Sequence, residues 1–232
     1  MQRNLIRLLA ILLLCIPLRA ALPAASVWEV RPTVGTDTNG GGFVTGSGGT
    51  DYSQQNAKNS VGSNISTTNA VAVGTGVIAS ATAAFTSVIV GNIIYLQGGT
   101  GTLAAGWYEV ITFTSSTSIT VDRNVAAGTG ITMNIGGSLA TVSQAYTNSV
   151  ASNIVYVKAT GTYTVTTALG IAIDSHSAPG NPFSIIGYTA TRGDNGQFTW
   201  TTSTNSIDLI DFSPSSTAAV NVLLQNINFT TT

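Results

Sequence analysis

The chain has 232 residues, 44% of them hydrophobic and only 7% charged, with a net charge of −1 at neutral pH. Ordinary globular proteins carry roughly 25% charged residues, so the polar surface here must be built from Thr, Ser, Asn and Gly. This composition excludes a nucleic-acid binder, which needs Lys and Arg to offset phosphate charge, and its β-branched richness excludes a disordered chain.

The first residues, MQRNLIR, bring positive charge from Arg3, Arg7 and the amino terminus. An apolar run of eleven residues, LLAILLLCIPL, follows, and then the small residues of AALPAAS. This order predicts a signal peptide over residues 1–26, cleaved after Ala25 or Ser26, and hence a secreted or cell-surface protein. The run is shorter than the roughly 20 residues that span a bilayer. A signal anchor is the alternative; after cleavage no membrane association is expected. Cys15, the single cysteine, lies in the apolar run and leaves with it, so the mature chain has no disulfide and no cysteine metal site. Loss of Arg3, Arg7 and Arg19 leaves five basic against nine acidic residues, a net charge of −4.

Residues 28–34 predict a first strand, and the glycine-dense stretch GTDTNGGGFVTGSGGTDYSQQ predicts a loop. The segment 27–65 is read as this strand and loop together, its glycines supplying positive φ and tight turns. A phosphate cradle is disfavoured, because no Gly-Lys-Ser/Thr follows the glycines and no helix opens there.

Short β runs recur at 77–79, 92–97, 107–113, 118–121 and 131–135, with a hairpin turn at 114–117. They predict a small antiparallel β module over residues 66–137, inserted after the first strand. Leu139, Val142, Tyr146 and Val150 then fall at i, i+3, i+7 and i+11, predicting an amphipathic helix over 138–152 with Ser138 as N-cap. Further β runs follow at 154–158, 163–165, 171–173, 183–188, 198–202, 207–212 and 220–229, the last turning through Asn226. Short strands separated by Gly-, Asn-, Pro- and Thr-rich turns predict stacked parallel coils over 138–232, with the helix covering their open end. Nothing at the chain's end reads as a cap, so the coils are expected to be truncated at Thr232.

Several phrases carry a resemblance. They are the first strand with Gly35, Asp37, Asn39 and Gly41; the helix LATVSQAYTNSVA; Val155, Tyr156, Val157, Lys158, Gly161, Thr162 and Tyr163; and Ile186, Gly187 and Tyr188. Over residues 28–50 and 138–232 they resemble the N-terminal part of right-handed parallel β-helix proteins of the pectin-lyase-like superfamily. The 66–137 module is similar to insertions in uncharacterised bacterial and phage-associated members. The chain departs from the pattern at Ala159-Thr160, which adds a residue to the turn, and in the absence of the later coils. The resemblance implies an all-β fold: a right-handed parallel β-helix start of few coils, one capping helix and an inserted small antiparallel β module. Catalytic residues of such proteins lie on middle coils, so none is carried over.

The candidate chemistry is sparse. Asp208 and Asp211 could divide acid and base roles or hold Ca²⁺. Residues three apart on a straight strand face opposite sides, however, so a bend is required; a solvated loop-edge pair is the alternative. Asp37, Asn39 and Asp51 offer oxygen ligands for Ca²⁺ among glycine turns, with Asx-turns as the alternative. No other cofactor is indicated. His176, the single histidine, reads as a turn residue, since sequence neighbours do not form a triad by adjacency. Arg192-Gly193-Asp194 reads as a turn rather than an adhesion motif. Trp28, Trp107, Trp200, Tyr95, Tyr108 and Tyr188 could stack on sugars, but such residues are also ordinary β-core residues. Two functions stand open. One is polysaccharide binding, with lyase or hydrolase activity in a full-length protein; the other is a non-catalytic surface, adhesin or tailspike-like structural role. The partner expected is a polysaccharide or cell-surface glycan, and the sequence leaves the oligomeric state open.

Overall fold

The computed structural model describes residues 26–44, 65–166, 169–170, 182–190, 192–203, 209–211 and 221–230. The first described strands are β1 (Ser26–Val30) and β2 (Gly42–Val44). Next come β3 (Ile65–Ala72), β4 (Val77–Ala79), β5 (Ile93–Gln97), β6 (Gly106–Ser115), β7 (Ser118–Val121) and β8 (Gly128–Ile135). One helix, α1 (Val142–Asn148), precedes β9 (Ile154–Lys158), β10 (Tyr163–Val165) and β11 (Leu169–Gly170). The last strands are β12 (Phe183–Tyr188), β13 (Phe198–Thr202), β14 (Ile210–Asp211), β15 (Val222–Gln225) and β16 (Ile227–Thr230).

Strands β3 to β8 close into a six-stranded antiparallel barrel in the order β3-β4-β7-β6-β5-β8. Alternation drives the closure. Ile78, Ile94, Leu96, Val110, Ile119, Val121, Ile131, Met133 and Ile135 point inward and pack as one cluster with Phe85 and Tyr108. The polar strand β3, ISTTNAVA, has no apolar alternation until Ala70, and sequence reasoning missed it. Its pairing with β4 and β8 is what closes the barrel.

The other strands form three small sheets. One has five strands in the order β15-β12-β9-β1-β2; it is mixed, because β1 pairs β2 antiparallel and β9 parallel. The second is β10-β13-β16 and the third β11-β14, both parallel. Their inward side chains share a second core, built around Trp28, Val30, Val155, Val157, Phe183, Ile185, Phe198 and Trp200. Burying each such side chain stabilises the fold by roughly 1.5–3 kcal/mol.

This architecture corrects the expectation of a right-handed parallel β-helix start with stacked coils. Among the described residues the structure is mostly β with one short α-helix, but a closed antiparallel barrel stands beside parallel and mixed sheets, and no solenoid is formed. Short β runs with period-two alternation read alike whether their neighbours run parallel or antiparallel. The pairing partner is therefore a tertiary property that such runs do not carry.

Helix α1 is shorter than the 138–152 expected from its stripe. Its N-cap is Thr141, not Ser138: Thr141 Oγ1 accepts a hydrogen bond from the Gln144 amide at 3.1 Å. Val142, Ala145 and Tyr146 are buried in the second core, the helix packing against β1 and β9 rather than capping a coil stack.

The glycine-rich loop joins barrel to sheet. Gly40 and Gly41 amides donate to the carbonyls of Gly136 and Gly137, and Trp107 Nε1 donates to the Asn39 carbonyl at 3.1 Å. A Cβ on Gly40 would stand 2.3 Å from the Ile93 carbonyl oxygen, so only glycine permits this approach. Asparagine holds the start of a strand twice. Asn92, just before β5, donates to the Ile89 carbonyl at 3.1 Å. Asn153, just before β9, accepts from the Val150 amide at 3.2 Å and from Trp28 Nε1 at 3.1 Å.

Candidate functional site

The side of the five-stranded sheet opposite Trp28 and Val30 concentrates charge in this charge-poor chain: Glu29, Arg31, Lys158 and Arg192 meet there. Glu29 and Arg31, two residues apart on an extended segment, share that side. Both are buried, at 0% and 1% exposure. In register beside Glu29 stands Tyr156 of β9, and beside that Ile186 of β12; Lys158 pairs with Tyr188.

Glu29 is the centre. Its Oε1 accepts from Arg31 Nε at 3.1 Å and, in a very short contact, from the Tyr188 hydroxyl. Its Oε2 accepts from Arg192 Nη2 at 2.9 Å and Nε at 3.3 Å. The Arg192 guanidinium also lies over the Tyr156 ring, 4.7 Å from its centroid. Tyr156 meets Tyr188 edge-on with centroids 6.3 Å apart, and Lys158 Nζ lies 5.8 Å from the Tyr188 centroid. Arg192, Tyr156, Tyr188 and Lys158 thus form a row of cation, ring, ring and cation above the buried carboxylate.

The electrostatics follow from burial. Desolvation pushes the Glu29 carboxyl up from its ordinary range, while Arg192, the Tyr188 hydroxyl and Arg31 pull it back. Burial and the Glu29 charge push the Tyr188 phenol up, which keeps it a neutral donor. Burial and then Arg31 push the Lys158 ammonium down, against Glu29 and Asp194. Sequence reasoning did not single out Glu29, Arg31 or this assembly. The signal it could have used is the alternation Trp28-Glu29-Val30-Arg31, two opposite charges on one face of a strand in a chain with almost none to place.

The Arg192-Gly193-Asp194 tripeptide is held by its own chain. Arg192 is fixed on Glu29. The Asp194 carboxylate accepts from the amides of Thr189, Ala190 and Gly196 and from the Thr189 hydroxyl. The loop after β12 is therefore closed by Asp194 and tied to the sheet by Arg192.

Of the metal candidates, Asp37 and Asn39 lie among the described residues, and each is hydrogen-bonded within the chain. Asp37 Oδ1 accepts from the Ala140 and Thr141 amides, both at 2.9 Å, and Oδ2 from the Thr141 hydroxyl at 2.8 Å. It reinforces the N-terminus of α1. Asn39 turns instead to Ser138, its Nδ2 donating to that carbonyl at 2.8 Å. Asp51, Asp208 and His176 lie outside the described residues. Asp211 is placed on β14, in register with Gly170. Among the described residues no group of three or more His, Cys, Asp and Glu side chains could hold a metal ion.

The six aromatic candidates for sugar stacking, Trp28, Trp107, Trp200, Tyr95, Tyr108 and Tyr188, are all buried. On the barrel wall, Arg123 pairs with Asp122 at 2.6 Å and lies 4.1 Å from the Tyr108 centroid. Burial and the nearby Asp122 push the Glu109 carboxyl up.

No family model, no curated protein and no solved structure matches this chain. With the closed barrel already described, the resemblance to the pectin-lyase-like superfamily is corrected: the matching phrases are local β-strand and turn patterns that this different architecture also uses.

Proposed function

We propose that this protein is a secreted, non-catalytic module that binds polysaccharide. The observation that carries the reading is the engagement of the carboxylates whose side chains the structure describes. Of the acidic side chains described, Glu29, Asp37, Asp122 and Asp194 are each hydrogen-bonded within the chain, leaving Glu109 on the barrel wall. Carboxylates fixed on backbone amides and guanidinium groups are building elements, poorly placed to exchange protons with a substrate. The outward residues of the three-stranded sheet support a glycan partner. Thr164, Thr201 and Thr230 align across β10, β13 and β16, with Thr199 beside Asn228; this charge-free row exposes Thr164 and Asn228, while Thr201 is buried. The N-terminal charge, apolar run and small residues support secretion.

The test is affinity electrophoresis of the purified full-length chain through gels containing neutral and charged polysaccharides, with assay of the same polymers for new reducing or unsaturated ends. Retardation without cleavage is expected. Cleavage, or free migration through every polymer, would overturn the proposal.

A further inference from the structure

We infer that the outward face of β9 and β12, at Tyr156, Lys158 and Arg192, is a binding surface for a polysaccharide that carries anionic groups. This rests on the polysaccharide-binding reading and names the chemistry of the partner.

The argument is one of charge complementarity. Beyond Arg19 the chain has five cationic side chains, and Arg31, Lys158 and Arg192 converge here. They face two carboxylates, Glu29 and Asp194, so the cluster carries one positive charge in excess. Neither carboxylate competes well for an incoming group. Glu29 is buried and fully donated to, and Asp194 is wrapped by three amides and a hydroxyl. The positive charge of Arg31 reaches Lys158 and helps push its ammonium down. A local anion relieves that repulsion.

The shape suits a sugar polymer. Tyr156 and Lys158 are half-buried, and the Arg192 side chain is 15% accessible, so all three keep some surface for a partner. The face continues without further charge through Ile186 of β12 to Gln225 of β15 in the same register. A half-buried tyrosine ring with a guanidinium over it and an ammonium on the same strand offers contacts both to the C–H groups of a sugar and to an anionic substituent on it. The pairing of Arg192 with Glu29 fixes the guanidinium in place, so little side-chain freedom is lost on binding.

The experiment compares two polymers of the same backbone, dextran and dextran sulfate, by titration calorimetry with the full-length chain. Dextran sulfate should bind more tightly, and its advantage should shrink with added salt as screening shortens the Debye length below about 10 Å. Lys158→Gln and Tyr156→Ala should each weaken dextran sulfate binding about tenfold, whereas Lys158→Arg and Tyr156→Phe should retain it. Thermal melts of all four variants establish that they fold. Equal affinity for the two polymers, or sulfate binding that survives Lys158→Gln and Tyr156→Ala in folded protein, would overturn the inference and leave polysaccharide binding standing. Binding of neither dextran nor dextran sulfate would overturn the inference, and the polymer panel described above decides the broader reading separately.

Discussion

Removing the Glu29 carboxylate is the sharpest test of how this fold is held. In wild type that carboxylate accepts from Arg31, Tyr188 and Arg192 and is wholly buried. Glu29→Ala takes the shared acceptor from two guanidinium groups and a phenol at once, and Arg31 stays at a position only 1% exposed. Breaking a buried ion pair from one side costs about 3–5 kcal/mol, because the remaining charge keeps its desolvation penalty. In a chain of this size each kcal/mol lowers the melting temperature by roughly 2–4 °C, so Glu29→Ala should melt about 6–20 °C below wild type. Arg192→Ala should cost less, because Glu29 retains Arg31 and Tyr188 and the lost side chain was partly solvated. The assay is thermal unfolding followed by near-ultraviolet circular dichroism, which reads the packed Tyr188 and Tyr156 rings. A Glu29→Ala melt within 2 °C of wild type, or a larger loss from Arg192→Ala, would refute the view that this carboxylate holds the cluster together.

The remaining predictions concern pH, capping and close packing. Burial holds the folded-state pKa of Glu29 above its unfolded value, so the folded state gains relative stability as pH falls through that folded value. The melting temperature of wild type relative to Glu29→Gln should therefore rise on acidification from neutral, and a fall would contradict the direction of the shift. Asp37→Ala removes three hydrogen bonds at the start of α1; it should cost about 2 kcal/mol in urea unfolding. A chelator should leave the wild-type melt unchanged if Asp37 acts as this cap, whereas a chelator-induced drop would return it to the metal ligands. Gly187→Ala would put a Cβ 2.1 Å from the Asn226 carbonyl oxygen, so β15 and β16 must shift. Hydrogen exchange in 221–230 should quicken, and unchanged protection there would count against the close packing.

The sequence by itself determined where most strands lie and where the chain turns. The β runs at 77–79, 118–121, 154–158, 163–165, 183–188 and 198–202 coincide with β4, β7, β9, β10, β12 and β13. The turn through Asn226 is the left-handed residue between β15 and β16, with φ of 58°. These features are local: alternation, β-branching and turn chemistry act within a few residues. The apolar stripe of α1 was legible for the same reason, though its start was set by Asp37, more than a hundred residues earlier in the chain.

Only the tertiary structure decided which strands became neighbours. GNIIYLQ and SNIVYVK read alike as short β phrases, while one closes a barrel with both of its sides buried and the other sits in a mixed sheet with one side outward. β3 became a barrel strand because its neighbours needed a hydrogen-bonding partner, and its own Thr and Asn side chains gave no sign of it. The charge cluster was hidden for a related reason. Glu29, Lys158 and Arg192 are far apart in the chain, and their meeting depends on the parallel register that sets β1 beside β9 and β9 beside β12. Sequence specifies the donors and acceptors; the long-range pairing of backbone strands determines which of them are buried together.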